Sequence, residues 1–92
     1  MKTFLSVIIP LYNEEKRLDN LFEIYEYLNK KRWNYEILLV NDGSSDNTLS
    51  KLKQLSKKFR YHLISYRRNR GKGFAIRAGM LQANGKFRLF TD

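Results

Sequence analysis

There is no cysteine in this 92-residue chain, and that removes disulfide frameworks, thiolate zinc sites and cysteine nucleophiles together. A reducing cytoplasm is compatible with the lack. No apolar run is long enough to span a bilayer. The longest near the start, Phe4 to Tyr12, is broken by Ser6 and Pro10, and Asn13-Glu14-Glu15-Lys16-Arg17 follows it rather than a cleavage site of small residues. Neither a signal peptide nor a transmembrane helix is expected, which makes the cytoplasm the expected location. Internal repeats, low-complexity tracts and Pro/Gly-rich linkers are missing too, so residues 1–92 read as one domain or part of one. The apolar fraction of 42% argues against intrinsic disorder. A chain this short buries only about 60–65% of its unfolded surface, so its stability should be marginal.

Acidic residues are scarce in one half. Residues 51–92 hold twelve Lys/Arg against Asp92 alone, whereas residues 1–50 hold six Lys/Arg and eight Asp/Glu. A half so basic suits polyanions: nucleotide phosphates, nucleic acid or an anionic membrane surface. A solvated basic face explains it equally well. Nucleic acid is not the expected partner, because an RNP signature, a KH-type G-x-x-G and a helix-turn-helix pattern are all absent. The G-x-x-x-x-G-K-[ST] phosphate loop, H-x-E with C-x-x-C, G-x-S-x-G and any His-rich cluster are absent as well.

What is present alternates strands with helices. Phe4 to Ile9 and Tyr35 to Val40 are nearly continuous apolar runs, as in strands buried on both faces. Leu18, Leu21, Phe22, Tyr25 and Leu28 follow helical spacing, as do Leu49, Leu52, Leu55 and Phe59, with Ser45, Asp46 and Asn47 as candidate caps. Tyr61 to Tyr66 reads as a third strand, Phe74 to Ala83 as a third helix and Lys86 to Thr91 as a fourth strand. Strand–helix–strand repeated three times predicts an α/β fold: a Rossmann-like, open, mostly parallel sheet with helices on both faces. Ligands bind such sheets beyond the carboxyl ends of the strands. Four chemically loaded segments fall there: Pro10 to Glu14, Asn41 to Asp46, Arg67 to Lys72, and Asp92.

Asp42 ends a strand and precedes Gly43. Its carboxylate either accepts N–H groups of a nucleobase, with Gly43 letting the backbone turn close to the ligand, or simply caps the turn. Asp46 is the stronger capping candidate. Arg70-Gly71-Lys72-Gly73 opens the third helix, where backbone N–H groups and cations suit phosphate, and Arg67, Arg68 and Arg70 read equally as solvated loop charges. Ala75, Ala78, Gly79 and Ala83 read as packing residues, Trp33 and Tyr35 as core or turn residues, and His62 as structural, with no partner visible.

In order and spacing, Ser6 to Glu15, Glu36 to Thr48, Asn69 to Gly73 and Asn84 to Asp92 together resemble the family 2 inverting glycosyltransferases with the GT-A fold. The Glu pair after Tyr12-Asn13 and the Gly-Lys-Gly loop most resemble polyprenyl-phosphate sugar synthases of the dolichyl-phosphate glucose and mannose type. The resemblance implies a donor pocket for a UDP- or GDP-linked sugar, edged by Pro10, Tyr12 and Glu14. It assigns Asp42 and Gly43 to the base and Lys72 to the donor loop. Asp92 becomes the first acid of a D-x-D motif that holds Mg²⁺ or Mn²⁺ against the diphosphate. Asn41 stands where an Asp often precedes the base-binding acid. The second acid, the catalytic base and the acceptor site would all lie beyond Asp92. These 92 residues alone are therefore expected to bind nucleotide weakly at most and not to turn over. A fourth strand at the sheet edge implies a homo-oligomer through that edge, and the basic half implies peripheral contact with an anionic membrane.

Overall fold

Apolar runs without polar alternation suit strands covered on both faces, and the chain makes its two central strands from them: β1 (Leu5–Leu11) and β2 (Tyr35–Asp42). In the computed structural model, which describes residues 2–91, they pair in parallel with Leu5 opposite Tyr35 and Leu11 opposite Asn41. β3 (His62–Tyr66) lies outside β2 and β4 (Phe87–Phe90) outside β1, giving the all-parallel order β3-β2-β1-β4. The direction of strand addition reverses between β1 and β4, so the carboxyl edge there is a topological switch point.

Period-two alternation divides the core. On one face Val7, Ile9, Ile37 and Leu39 meet Leu21, Tyr25 and Leu28 of α1 (Leu21–Lys30) and Leu52 of α2 (Thr48–Leu55). On the other, Ile8, Leu38 and Val40 meet Ala75 and Ala83, which belong to α3 (Lys72–Gln82) and its carboxyl cap. Ile8, Leu39 and Val40 are fully buried, each contributing about 1.5–3 kcal/mol of transfer free energy. Small residues on α3 let the helix lie close to the sheet. A Cβ added at Gly79 would stand 2.5 Å from Cγ2 of Ile8. Among the described residues no helix is long and apolar enough to cross a membrane.

The observed elements depart from the expected ones in instructive ways. β2 runs two residues past Val40 and carries Asn41 and Asp42 within the strand. α3 starts at Lys72 rather than Phe74. Phe59 falls beyond α2 yet still packs, stacked on Tyr25 at 4.6 Å and edge-on to Phe22 at 4.5 Å between ring centroids. Trp33 is neither core nor plain turn: it is 41% exposed, beside Phe4 and, through Phe4, Phe87.

His62 does have a partner. Its Nε2 lies 3.3 Å from Oε1 of Glu36, while the other carboxylate oxygen accepts from the Ser6 hydroxyl and the Asn84 N–H, each at 2.6 Å. The Gly85 N–H donates to Ser6 Oγ at 2.8 Å, so one carboxylate ties β1, β2, β3 and the approach to β4 together. Burial alone would raise the Glu36 carboxyl. The Asn84 and Ser6 hydrogen bonds and the nearby His62 more than offset this and hold it below its ordinary 4.5.

Two outcomes follow from this packing. Gly79→Ala would gain about 1 kcal/mol in an unpacked helix. Here the added methyl meets Ile8, and overpacking of about 1–3 kcal/mol should leave the variant less stable in urea titration; a stabilised variant would refute the close contact. The second concerns acid. A carboxyl lowered by folding stabilises fully above its unfolded value, and that share is lost as pH falls through the folded one. Below about pH 5 the wild type should therefore lose denaturant midpoint more steeply than Glu36→Gln. Parallel acid curves would remove Glu36 from the response.

Candidate functional site

Because all four strands run the same way, their carboxyl ends open on one edge, and three loops meet there. The β1–α1 loop is held by Asn13, whose φ of 52° lies in the left-handed region that a short amide side chain tolerates. Its Oδ1 accepts from the Ser45 and Asp46 N–H groups at 2.8 and 3.3 Å, and its own N–H donates to Ser44 Oγ at 3.0 Å. The Glu14 N–H donates to Thr48 Oγ1 at 2.9 Å, and Lys51 Nζ donates to the Glu15 carbonyl at 2.9 Å. The β1–α1 and β2–α2 loops thus form one stitched wall.

Asp42 fastens the third loop. Its side chain sits in a residue only 3% exposed, and four donors converge on the carboxylate. Oδ1 accepts from the Tyr66 hydroxyl at 2.6 Å and the Arg70 N–H at 2.9 Å. Oδ2 accepts from Asn69 Nδ2 at 2.9 Å and the Gly71 N–H at 3.0 Å. Burial raises the Tyr66 phenol, and the bond and charge of Asp42 raise it further, so this hydroxyl stays a donor at any ordinary pH. Carboxylates accepting charge-assisted bonds of this kind hold their donors firmly. Gly71 caps α3 with φ of 96°, so the carboxylate also sets where that helix begins.

These segments enclose a cavity of about 430 Å³ lined by Pro10, Tyr12, Glu14, Asp42, Asn69 and Lys72, with Arg17 at its rim. Glu14 pairs with Arg17 at 3.4 Å. A smaller adjoining space of about 110 Å³ is reached from Pro10, Glu14 and Thr91, the last described residue on the β4 side. Cations crowd the third loop, where Arg70 lies over the Phe74 ring at 5.4 Å. Around Asp46, burial would raise the carboxyl, but the Thr48 hydroxyl and N–H at 2.5 and 2.9 Å lower it on balance. Asp46 thus acts one residue ahead of the Asn47 cap position.

Of the residues singled out in the sequence, Pro10, Tyr12, Glu14, Asp42 and Lys72 are brought together on this cavity. Gly43 is not among its walls. With φ of 65° it turns the chain directly against the Arg68–Asn69 backbone, where any Cβ would clash, so it allows a close approach of the protein's own loop. Asp92, the expected metal ligand, lies outside the described residues. Among those described, no group of three or more His, Cys, Asp or Glu could hold a metal ion. Four further contributors were not candidate site residues in the sequence: Asn13, Thr48 and Asn69 fall within the stretches that resemble the family, and Tyr66 lies outside them. Asn41 donates to Ser65 Oγ at 3.1 Å, and its Oδ1 is buried without a hydrogen-bond partner among the described residues.

The family model for Glycosyl transferase family 2 matches residues 6–92. Dolichyl-phosphate beta-glucosyltransferase of Drosophila melanogaster is 42% identical over an alignment, gaps included, that covers 96% of this chain and 30% of that protein. Its Saccharomyces cerevisiae namesake is 43% identical over an alignment that covers 97% of this chain and 29% of its own length. Among solved structures, S. aureus TarS 1-349 in complex with UDP superposes with a TM-score of 0.79 at 30% identity, over 98% of this chain and 27% of that one. The mannosyltransferase PcManGT from Pyrobaculum calidifontis, in complex with GDP-Man and Mn²⁺, reaches 0.67 at 25% identity, over 90% and 25%. The chain thus spans less than a third of the length of these relatives.

Asp42→Ala would strip acceptors from four donors. It should cost about 1.5–3 kcal/mol, since bonds to a charged group are lost while part of the loop can rehydrate. Amide exchange of Arg70 and Gly71 should accelerate while that of Leu38 and Val40 stays protected. Unchanged exchange at Arg70 and Gly71 would show that the loop is held by something else.

Proposed function

Because the chain belongs to Glycosyl transferase family 2, we propose that residues 1–92 form the donor-binding unit of an enzyme that moves a sugar from a nucleoside diphosphate. The observation that carries this reading is the single cavity walled by Pro10, Tyr12, Glu14, Asp42 and Lys72 at the carboxyl edge. Its chemistry suits a nucleotide. Tyr12, 47% exposed, offers a ring at the mouth, and the third loop supplies cations where a diphosphate needs charge compensation. UDP or GDP is the expected carrier: TarS is described with UDP and UDP-GlcNAc, and PcManGT with GDP-Man. A polyprenyl phosphate is the proposed acceptor, supported by the names of the curated relatives.

Within the reading, Pro10, Tyr12 and Glu14 edge the nucleotide, Lys72 approaches the donor, and Asp42 governs the base end. Gly43 acts from behind the wall by seating the loop. A divalent cation, Mg²⁺ or Mn²⁺, would supply charge neutralisation to the leaving diphosphate, and Asp92 is its proposed ligand. The described residues do not make a metal site by themselves, so no step is assigned to one. Neither cavity carboxylate stands free for proton abstraction: Asp42 is engaged by four donors and Glu14 pairs with Arg17. Donor binding without turnover is therefore the activity proposed for this chain alone. Two further parts of the proposal concern association. Phe87, Leu89 and Phe90 are all exposed on edge strand β4, which supports self-association there. The basic second half supports contact with an anionic cytoplasmic membrane surface.

Thermal unfolding with UDP, GDP and inorganic diphosphate, each with and without Mn²⁺, tests the donor reading. A nucleotide present at a hundredfold its Kd should stabilise the chain by about 2.7 kcal/mol. One nucleotide should raise the Tm more than the other and more than diphosphate. Equal shifts from all three would reduce the site to a general anion trap.

A further inference from the structure

At the opposite end of the sheet lies a second cavity of about 570 Å³, formed where the end of α1, the start of β2 and the α2–β3 connection meet. It shares no wall residue with the donor cavity, and the donor reading makes no use of it. Its volume falls within the range of about 300–1,000 Å³ typical of small-molecule sites. Tyr25, Tyr35, Phe59 and Tyr61 give it aromatic walls. Tyr25 and Phe59 are stacked at 4.6 Å, and Tyr35 stands at 62° to Tyr25.

The polar groups divide by sign. Each of the three phenols donates its proton to the protein: Tyr25 to the Arg60 carbonyl at 2.7 Å, Tyr35 to Asn29 Oδ1 at 2.8 Å, and Tyr61 to the Leu52 carbonyl. They brace the walls and have no hydrogen left for a ligand. The one carboxylate of the lining, Glu36, is already occupied by Ser6, Asn84 and His62. The Lys58 ammonium and the Arg60 guanidinium, by contrast, make no ion pair or side-chain hydrogen bond among the described residues, and the Asn29 amide keeps its two N–H donors. With Tyr25 buried against Phe59, the cavity offers the partly exposed rings of Tyr35, Phe59 and Tyr61 and uncommitted donors of positive charge, with no free acceptor of comparable strength.

We propose that this cavity binds an organic anion carried on a flat ring, an aryl phosphate or aryl carboxylate, with Arg60 and Lys58 on the anion and the tyrosine walls against the ring. Rings stack on aromatic faces, and a guanidinium grips a planar or tetrahedral anion with two parallel bonds. Neither half of the ligand suffices by itself. Phosphate alone finds two exposed cations in water, where such attraction is weak, and a neutral ring leaves the cations unanswered.

An NMR titration of the ¹⁵N-labelled chain with phenyl phosphate tests this. Saturable shifts are expected at amides of 35–37 and 58–62, with those of 69–72 unmoved. Inorganic phosphate and phenol should each bind roughly tenfold more weakly or worse, a difference of about 1.4 kcal/mol. Replacing both cations, Lys58→Gln with Arg60→Gln, should weaken phenyl phosphate by a similar factor. Should the double variant lose its folded spectrum, Arg60→Gln alone carries the same test, because that side chain is exposed and holds nothing in place. Phosphate binding as well as phenyl phosphate, shifts centred on 69–72, or cation variants with unaltered affinity would each overturn the proposal.

Discussion

At the end of β2 a carboxylate almost sealed from water gathers four donors, two of them backbone N–H groups of the segment that opens α3. A buried negative charge is tolerated only when it is satisfied in this way. The chain therefore has to bring 66–71 over the end of β2 and hold it there. Much of the carboxyl edge follows from that requirement. Gly43 must lack a side chain so that the Arg68–Asn69 backbone can lie against it. Gly71 must take a positive φ so that its N–H points back while α3 departs. Of the loop's cations, Lys72 then lines the cavity, while Arg67, Arg68 and Arg70 stay exposed beside it.

The molecule keeps its two ends chemically distinct. At the carboxyl edge, carboxylates and amide side chains organise loops, with Asn13 and Asp42 each collecting N–H donors from a neighbouring segment. At the amino edge, a second carboxylate, Glu36, collects Ser6, Asn84 and His62. Both work by the same physics: a nearly buried acid repays its desolvation through several short bonds to different elements. Acids are few, and those near the core are spent on architecture. That leaves the surface of the second half to its cations, which is why the charge imbalance read in the sequence persists as an exposed property of the fold.

How much was legible depended on the range of the interaction involved. The continuous apolar runs of β1 and β2 mark central strands, and Ala75, Gly79 and Ala83 mark a helix lying close to the sheet, because burial and small size are local properties. The meeting of the loops that carry Pro10, Tyr12, Glu14, Asp42 and Lys72 was also legible, since parallel topology sends those loops to one edge, while the choice of residues within them rested on the family resemblance. Contacts set by tertiary registry were not. The pairing of His62 with Glu36 spans 26 residues and depends on how β3 lies beside β2. The donors to Asp42 lie 24 to 29 residues downstream of it. The start of α3 is hidden for the same reason: Gly71-Lys72-Gly73 reads as a loop until the Gly71 N–H is seen to be anchored.

The saturation of Asp42 constrains the base recognition proposed for it. A carboxylate offers about four acceptor positions, and here the protein fills them. A nucleobase N–H that reached Asp42 would have to displace Tyr66, Asn69, Arg70 or Gly71, or share an oxygen with one of them. Exchange of one N–H for another is close to neutral in hydrogen-bond count, so the ligand's gain would come from stacking and phosphate contacts, less the cost of moving the loop. Displacement of the Asn69 amide would cost least, because it is a side chain and can turn to water, whereas the Arg70 and Gly71 amides are fixed by the backbone. Base binding at this carboxylate, as proposed, would thus be coupled to the position of the cationic loop, and one residue would link the end of the ligand that specifies identity to the end that carries charge.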